Sequence, residues 1–542
     1  MLAGCVSWPD QFRDRYRREG YWRGERLGDI TRWPARTLGS KVALVGAGRT
    51  LTYAELDQRA DRLASGLKHI GLRPHDRVVV QLPNVPEFVL LSLALFRLGV
   101  VPVFALAAHR RHEIAYLCDR TEAVAYIVAD RAYGFDYRGL AREILAQASS
   151  VRHVLVAGEP EEFVALASLE MQPEPVPPPD PEDTAFLLLS GGTTGLPKLI
   201  PRTHDDYAYQ LRATADALRF GKDDVYLAAL PIAHNAALGC PGVLGALRAG
   251  GRVVLSPSPS PSDAFPLIDR EHVTHTTLIS PLVRLWVDSV SFMPVDLSTL
   301  LLQIGGAKLD PALGRQLRPT LRCTVTQWFG MGEGLLCHTR LDDDDDVVLG
   351  TQGRPLSDSD ELRVVDDRDR DVSAEQVGEL LVRGPYTVRG YYRENEYNAE
   401  RFTNDGYLRT GDLVRITAAG NLVVEGRIKE VINRGGEKIA PAEVEDHLLA
   451  HPAVSQVAVV GVPERMLGER TCAFIVAAAE TPLTLAEVKS FLASRGLAHY
   501  KMPDRLEHLD VLPRTSLGKV DRAALRACIE VGGERLHAPA PA

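Results

Sequence analysis

The chain has 542 residues, of which 45% are hydrophobic and 25% charged, with a formal net charge of −9. This length and composition exclude a disordered chain and call for more than one domain, since domains run to about 100–200 residues. The mild acidity lacks the basic footprint of a nucleic-acid binder, and no apolar run reaches the roughly 18 residues of a membrane span.

In chain order, Thr52-Tyr53-Ala54-Glu55 is a capping box, and Leu56, Ala60, Leu63 and Leu67 continue it at helical spacing. Arg77 to Leu82 reads as a buried strand, and Pro86 opens a second helix through Phe88, Leu90, Leu91 and Leu95. Such alternation predicts an α/β fold with mixed, mostly parallel sheets. The run 172–181 (QPEPVPPPDP) is an exposed, extended loop, followed by an apolar strand at Ala185–Leu189. The run 256–262 (SPSPSPS) is read as a surface loop. The five acids Asp342 to Asp346 are read as a solvated, self-repelling loop, with a metal cluster as the alternative. From about residue 425 the texture changes. Helices at Pro441–Leu449 and Thr484–Arg495, with strands at Val457–Val460 and Cys472–Val476, predict a small α+β domain. The expected division is a large multi-subdomain N-terminal domain at 1–425, a hinge at 426–430 and a small mobile domain at 431–542.

The seven cysteines include no C-x-x-C pair, so they are expected to be core residues and not a disulfide framework or zinc site. Met1 to Ser7 lacks the basic and apolar regions of a signal peptide. A cytoplasmic monomer or homodimer without nucleic-acid or membrane partners is expected.

The chemistry concentrates after the apolar strand, in Ser190-Gly191-Gly192-Thr193-Thr194-Gly195-Leu196-Pro197-Lys198. Glycines let backbone N–H groups approach an anion closely, and two threonines and a lysine add donors and charge. A triphosphate needs such a loop, although a plain turn has the same composition. The Walker register is absent, which disfavours a P-loop kinase. Four further motifs follow in order: Phe329-Gly330-Met331-Gly332-Glu333, Tyr407-Leu408-Arg409-Thr410-Gly411-Asp412, Gly426-Arg427-Ile428-Lys429-Glu430, and Pro513 to Lys519 (PRTSLGK). Together the five motifs resemble those of the adenylate-forming superfamily of acyl-CoA synthetases, adenylation domains and luciferases.

The resemblance implies ATP and Mg²⁺ as cofactors. Ser190, Gly191, Gly192, Thr193, Thr194, Gly195 and Lys198 would hold the phosphates. Gly305, Gly306, Ala307, Phe329, Gly330 and Met331 would frame the adenine. Glu333 would bind the metal, Asp412 the ribose hydroxyls with help from Arg427, and Lys519 would bridge the substrate carboxylate and the α-phosphate. Rotation about Lys429 would then swing Lys519 out and bring Gly435-Gly436 to a pantetheine tunnel.

A narrower resemblance lies in Trp8-Pro9, Arg15-Tyr16-Arg17, Gly20-Tyr21-Trp22, Pro201-Arg202-Thr203-His204, Ala233-His234-Asn235, Thr339-Arg340-Leu341-Asp342 and Asn433 to Ile439 (NRGGEKI). These look like stand-alone aryl acid ligases of siderophore pathways, which load an aryl acid onto the phosphopantetheine arm of a carrier protein. That implies an aryl pocket with His234 as gate and Asn235 on a 2-hydroxyl, lined also by Ala236, Cys240, Gly306, Gly332 and Leu336. Cys240 and Leu336 replace the Ser and Val of dihydroxybenzoate enzymes and favour salicylate. A thiol pairs a 3-hydroxyl poorly, at a cost of about 1–3 kcal/mol. Neutral core variation is the plainer reading of both. Ala236 and Gly332 remove bulk, which admits a substituted salicylate, an aminobenzoate or a hydroxypicolinate. An aryl-CoA ligase using free CoA and an inactive binding homologue are the functional alternatives.

Overall fold

Thr52 starts the helix Tyr53–His69 as its capping box requires: Glu55 N donates to Thr52 Oγ1, and Thr52 N donates to the Glu55 carboxylate at 2.8 Å. Pro86 stands at the start of the helix Pro86–Leu98, which is buried along nearly its whole length because it lies between layers. The structure is a computed structural model that describes residues 1–190, 197–306, 309, 311–434, 437–464, 468–478, 482–495, 497, 499–515 and 518–530.

Among the described residues, a seven-stranded sheet runs in the order Leu199–Thr203, Thr184–Leu189, Val101–Phe104, Arg77–Gln81, Ala125–Ala129, His153–Ala157 and Val164–Ala165. Only its first pair is antiparallel. A nine-stranded sheet carries Val42–Gly46, Val225–Ala228, Arg252–Leu255, His275–Ile279, Leu301–Gly305 and Thr324–Met331 as parallel neighbours, with antiparallel strands at both edges. Uninterrupted apolar strands suit sheets covered on both faces, and one large core joins the facing layers. An antiparallel four-stranded sheet, Glu361–Val365, Gly378–Arg383, Leu408–Ile416 and Leu422–Arg427, completes the large lobe. A single turn, Ile428–Glu430, leads from it into the C-terminal lobe. There, strands Val454–Glu464 and Gly468–Ala477 pair in an antiparallel ladder, and Arg505–His508 joins the second of them in parallel.

Two loops differ from the sequence expectation. In the run 256–262, Ser256 is fully buried and Pro261 opens the helix Pro261–Glu271, because Ser256 Oγ donates to Ser258 O and Ser258 Oγ to Asp263. The acidic run is exposed apart from Asp343, as a solvated run would be, but its second part opens the helix Asp345–Gly350, and two of its five charges are paired, Asp345 with Arg318 at 2.6 Å and Asp343 with Arg354 at 3.1 Å. The loop 172–181 is extended and mostly exposed. Among the described residues no helix is long and apolar enough to cross a membrane.

Candidate active site

The ladder of Thr184–Leu189 and Leu199–Thr203 closes with Leu189 opposite Leu199. Ser190 N donates to Lys198 O at 2.8 Å, and Lys198 N donates to Ser190 Oγ at 2.9 Å. The base of the glycine-rich loop is therefore pinned on both sides. Gly191, Gly192, Thr193, Thr194 and Gly195 lie outside the described residues, as do Ala307, Gly435 and Gly436. The Lys198 ammonium stands 4.2 Å from the centre of the Tyr397 ring.

Asp412 and Arg427 are register partners on neighbouring strands, and Arg427 Nε donates to Asp412 Oδ1 at 2.8 Å. Asp412 N donates to Thr410 Oγ1 at 3.0 Å, and the adjacent carboxylate pushes the Arg427 pKa up. Glu333 follows the strand Thr324–Met331 and accepts a 2.8 Å hydrogen bond from the Tyr391 hydroxyl on Oε1. No three His, Cys, Asp or Glu side chains gather into a metal cage among the described residues. Mg²⁺ characteristically takes one or two carboxylates together with phosphate oxygens, and the half-buried Glu333 provides a carboxylate of that kind.

Lys519 reaches this cleft from the C-terminal lobe. Its turn is held by Thr515 N donating to Lys519 O at 2.7 Å and Gly518 N donating to Thr515 O at 2.8 Å. The ammonium keeps access to the cleft, but protein encloses it on most sides. That enclosure and the Arg427 cation push its pKa below the ordinary lysine value, against the pull of Asp412, Glu430 and Glu333. His234 feels the same lysine: enclosure first, then the Lys519 charge, lower its pKa to about 4. Its imidazole is neutral at physiological pH. Lys519 thus lies within electrostatic range of Asp412, Glu333 and His234 of the large lobe, and the adjoining Gly518 lies against Ile279 of that lobe. Lys429 sits exposed in the connecting turn.

Gly305 and Gly306 end the strand Leu301–Gly305, where a Cβ on Gly305 would stand 2.2 Å from the Trp328 indole. Phe329, Gly330 and Met331 close the neighbouring strand, and a Cβ on Gly330 would stand 2.3 Å from Leu336 Cδ2. At Gly305 the absence of a Cβ lets the Trp328 ring of the neighbouring strand lie against the backbone, and at Gly330 it leaves room for Leu336 across the strand pair.

His234 caps the short helix Asn235–Gly239, its Nδ1 accepting from Ala236 N at 3.3 Å. Asn235 Oδ1 accepts from the Tyr207 hydroxyl at 2.8 Å and from Gln210 Nε2 at 3.4 Å, which fixes its amide so that Nδ2 remains as the donor. Cys240 Sγ lies 3.9 Å from Asn235 Nδ2 and 3.8 Å from Gln210 Nε2. Burial pushes its thiol up to about 12. Cys240 and Leu336 are completely enclosed, and Ala236 nearly so. The first two therefore shape the pocket from behind its surface. The bulk removed at Gly332 is taken up by Ile200, whose Cδ1 would stand 2.9 Å from a Cβ there. The expected spare volume at that position is thus already filled.

Sequence reasoning missed Tyr207, Gln210, Tyr391 and Tyr397. The first two lie one helical turn apart on the helix that Thr203 caps, a spacing that could have flagged them. The tyrosine-rich run from Tyr391 to Tyr397 was the available signal for the others.

The family model "AMP-binding enzyme" matches residues 31–392, and "AMP-binding enzyme C-terminal domain" matches residues 443–519. The 2,3-dihydroxybenzoate-AMP ligase of Bacillus subtilis is 53% identical, covering 98% of this chain and 98% of its own. The salicyl-AMP ligase / salicyl-S-ArCP synthetase of Mycobacterium tuberculosis is 46% identical over 97% of this chain and 94% of its own. The apo structure of MbtA from Mycobacterium smegmatis superposes with a TM-score of 0.76 at 45% identity, covering 97% of this chain and 99% of that one. With both family models matched in order and relatives of about half identity covered along nearly their whole length, the chain belongs to the AMP-binding enzyme family of adenylate-forming ligases.

Proposed function

We propose that the protein joins an aryl carboxylic acid to AMP, releasing pyrophosphate, and then passes the aryl group to the phosphopantetheine thiol of a carrier protein. The observation that carries this reading is the seating of the Lys519 segment on the large lobe, where Gly518 lies against Ile279 and Lys519 comes within electrostatic range of Asp412, Arg427, Glu333 and His234. Attack of a carboxylate on the α-phosphorus brings two anions together, so the site must supply positive charge at the reacting atoms. Lys519 is the residue to bridge them. Asp412 would accept the ribose hydroxyls while Arg427 fixes its orientation. Lys198, with the loop it closes, would hold the polyphosphate. Glu333 would hold Mg²⁺, which when bound neutralises phosphate charge. His234, neutral and enclosed, would border the aryl ring as a gate, and Asn235 Nδ2 would donate to the 2-hydroxyl.

Salicylate is the substrate this pocket favours. A fully enclosed neutral thiol at Cys240, engaged by two N–H groups behind the pocket wall, offers no polar atom at the surface to a 3-hydroxyl. Ala236 is the remaining position where bulk has been removed, so small ring substituents are tolerated. Adenylate formation measured as ATP–pyrophosphate exchange with salicylate, 2,3-dihydroxybenzoate, 6-methylsalicylate, anthranilate, 3-hydroxypicolinate and benzoate tests this. Salicylate leading supports the assignment. A lead for 2,3-dihydroxybenzoate transfers the specificity of the Bacillus relative to this chain, and no exchange with any acid overturns the reading. Rapid release of aryl-CoA without carrier protein would instead make free CoA the acceptor.

A further inference from the structure

Glu333 and Lys198 carry opposite charges at the same end of the cleft, and each is engaged by a tyrosine. The Tyr391 hydroxyl donates to Glu333 Oε1 at 2.8 Å. Its backbone is clamped as well: Tyr391 N donates to Asn398 Oδ1 at 2.8 Å, and Asn398 Nδ2 donates to Tyr391 O at 2.9 Å. A further backbone bond, Val388 N to Glu333 O at 2.7 Å, ties the same segment to the glutamate. Tyr391 is almost completely buried and meets the Tyr397 ring edge to face, 5.3 Å between centres. Tyr397 in turn presents its face to the Lys198 ammonium at 4.2 Å. Asn398 and Tyr397 both come from the short helix Asn395–Arg401, so one element sets both contacts.

We propose that Tyr391 and Tyr397 are positioning residues for the triphosphate end of the site, Tyr391 orienting the Glu333 carboxylate and Tyr397 parking Lys198. This rests on the adenylation reading above. Each charge is thus held by a neutral aromatic partner. A phenol hydroxyl on one carboxylate oxygen fixes the carboxylate plane without neutralising it. The face of an aromatic ring holds an ammonium more weakly than a phosphate does, so Lys198 is retained near the loop yet released to an incoming polyphosphate. Both charges then stay available, one for a divalent cation and one for the phosphates.

The test is titration calorimetry with α,β-methylene-ATP, with and without Mg²⁺, on wild type, Tyr391→Phe, Tyr397→Leu and Tyr397→Phe, alongside ATP–pyrophosphate exchange. Thermal unfolding of each variant checks that it is folded. Losing a hydrogen bond to a charged group, Tyr391→Phe should weaken analogue binding about 10-fold with Mg²⁺ and leave it unchanged without. Tyr397→Leu should weaken binding about 5-fold under both conditions, whereas Tyr397→Phe, which keeps the ring, should match wild type. In exchange assays KM for ATP should rise while KM for the aryl acid stays constant. Wild-type binding and KM in folded Tyr391→Phe and Tyr397→Leu overturn the inference. If wild type itself neither exchanges with any acid nor binds the analogue, the adenylation reading fails instead.

Discussion

Lys519 brings a cation into a cleft that penalises it, and that penalty has a use. Enclosure and Arg427 outweigh the pull of Asp412, Glu430 and Glu333 on the ammonium, and in the proposed reaction the charge developing between carboxylate and phosphate would stabilise it further. Lys519→Ala should reduce exchange by about 10²–10³-fold, the usual effect of deleting one preorganised donor, with the melting temperature unchanged. Because the lysine pKa is depressed, the alkaline limb of the wild-type exchange profile should fall before an ordinary lysine would titrate; Lys519→Arg should move any residual activity's limb upward. Asp360 illustrates the opposite sign. Burial raises its pKa to about 7, against the Tyr386 hydroxyl that donates to Oδ2 at 2.6 Å. The folded state therefore holds a proton that the unfolded chain releases near pH 4. Stability contributed below that pH is lost as pH rises towards 7 and is level above it. Asp360→Asn should remove this slope and raise unfolding free energy at pH 8 by ~2–4 kcal/mol, measured by denaturant titration across pH.

Among the elements, the strand Leu199–Thr203 and the helix His204–Ala217 couple core to site. Arg202 and Asp206, both fully buried, pair at 2.9 Å. The guanidinium also donates to Gly332 O at 3.0 Å, Gln210 Oε1 at 3.0 Å and Tyr386 O at 3.2 Å. It therefore fixes the backbone beside Glu333 and, through Gln210, the amide of Asn235. Arg202→Met leaves Asp206 buried without its partner and should cost about 3–5 kcal/mol, visible in denaturant unfolding. Much of this level could be read from sequence: the capping boxes at Thr52 and Thr484 and the prolines opening helices at Pro86 and Pro441 are local signals, obeyed locally. The five motifs likewise singled out Asp412, Glu333 and Lys519. What sequence did not reveal depends on contacts between distant segments. Arg202 stood inside a quoted motif, yet its four-way role exists only once the layers meet. Ile200 fills the space beside Gly332, which no pattern of spacing discloses. Tyr391 and Tyr397 acquire meaning only from the glutamate and lysine they face.

At the scale of the whole molecule, one turn, Ile428–Glu430, joins two lobes that approach each other where Gly518 lies against Ile279. Arg522, three positions beyond Lys519, is held bidentately by Glu445 at 2.7 and 3.0 Å and reaches Glu430 in that turn at 3.5 Å. The lysine-bearing segment is thus tied both to its own lobe and to the connector. If the lobes alternate between two arrangements, the connector must change its backbone angles. Lys429→Pro, which fixes φ, should leave exchange within about twofold while slowing thioester formation on the carrier by roughly tenfold or more, measured in parallel on one preparation.

The residue before that lysine has a consequence for how such enzymes can be recombined. Gly518 has φ +77°, and a Cβ there would stand 2.6 Å from Ile279 Cδ1 of the large lobe. The clearance between the two lobes at this point is therefore less than one methyl group. A C-terminal module transplanted from a relative will seat its lysine here most readily if it brings glycine at that position, because any other residue is strained at this φ and its Cβ must also displace the Ile279 methyl. Glycine at 518 is thereby one condition for the compatibility of grafted halves.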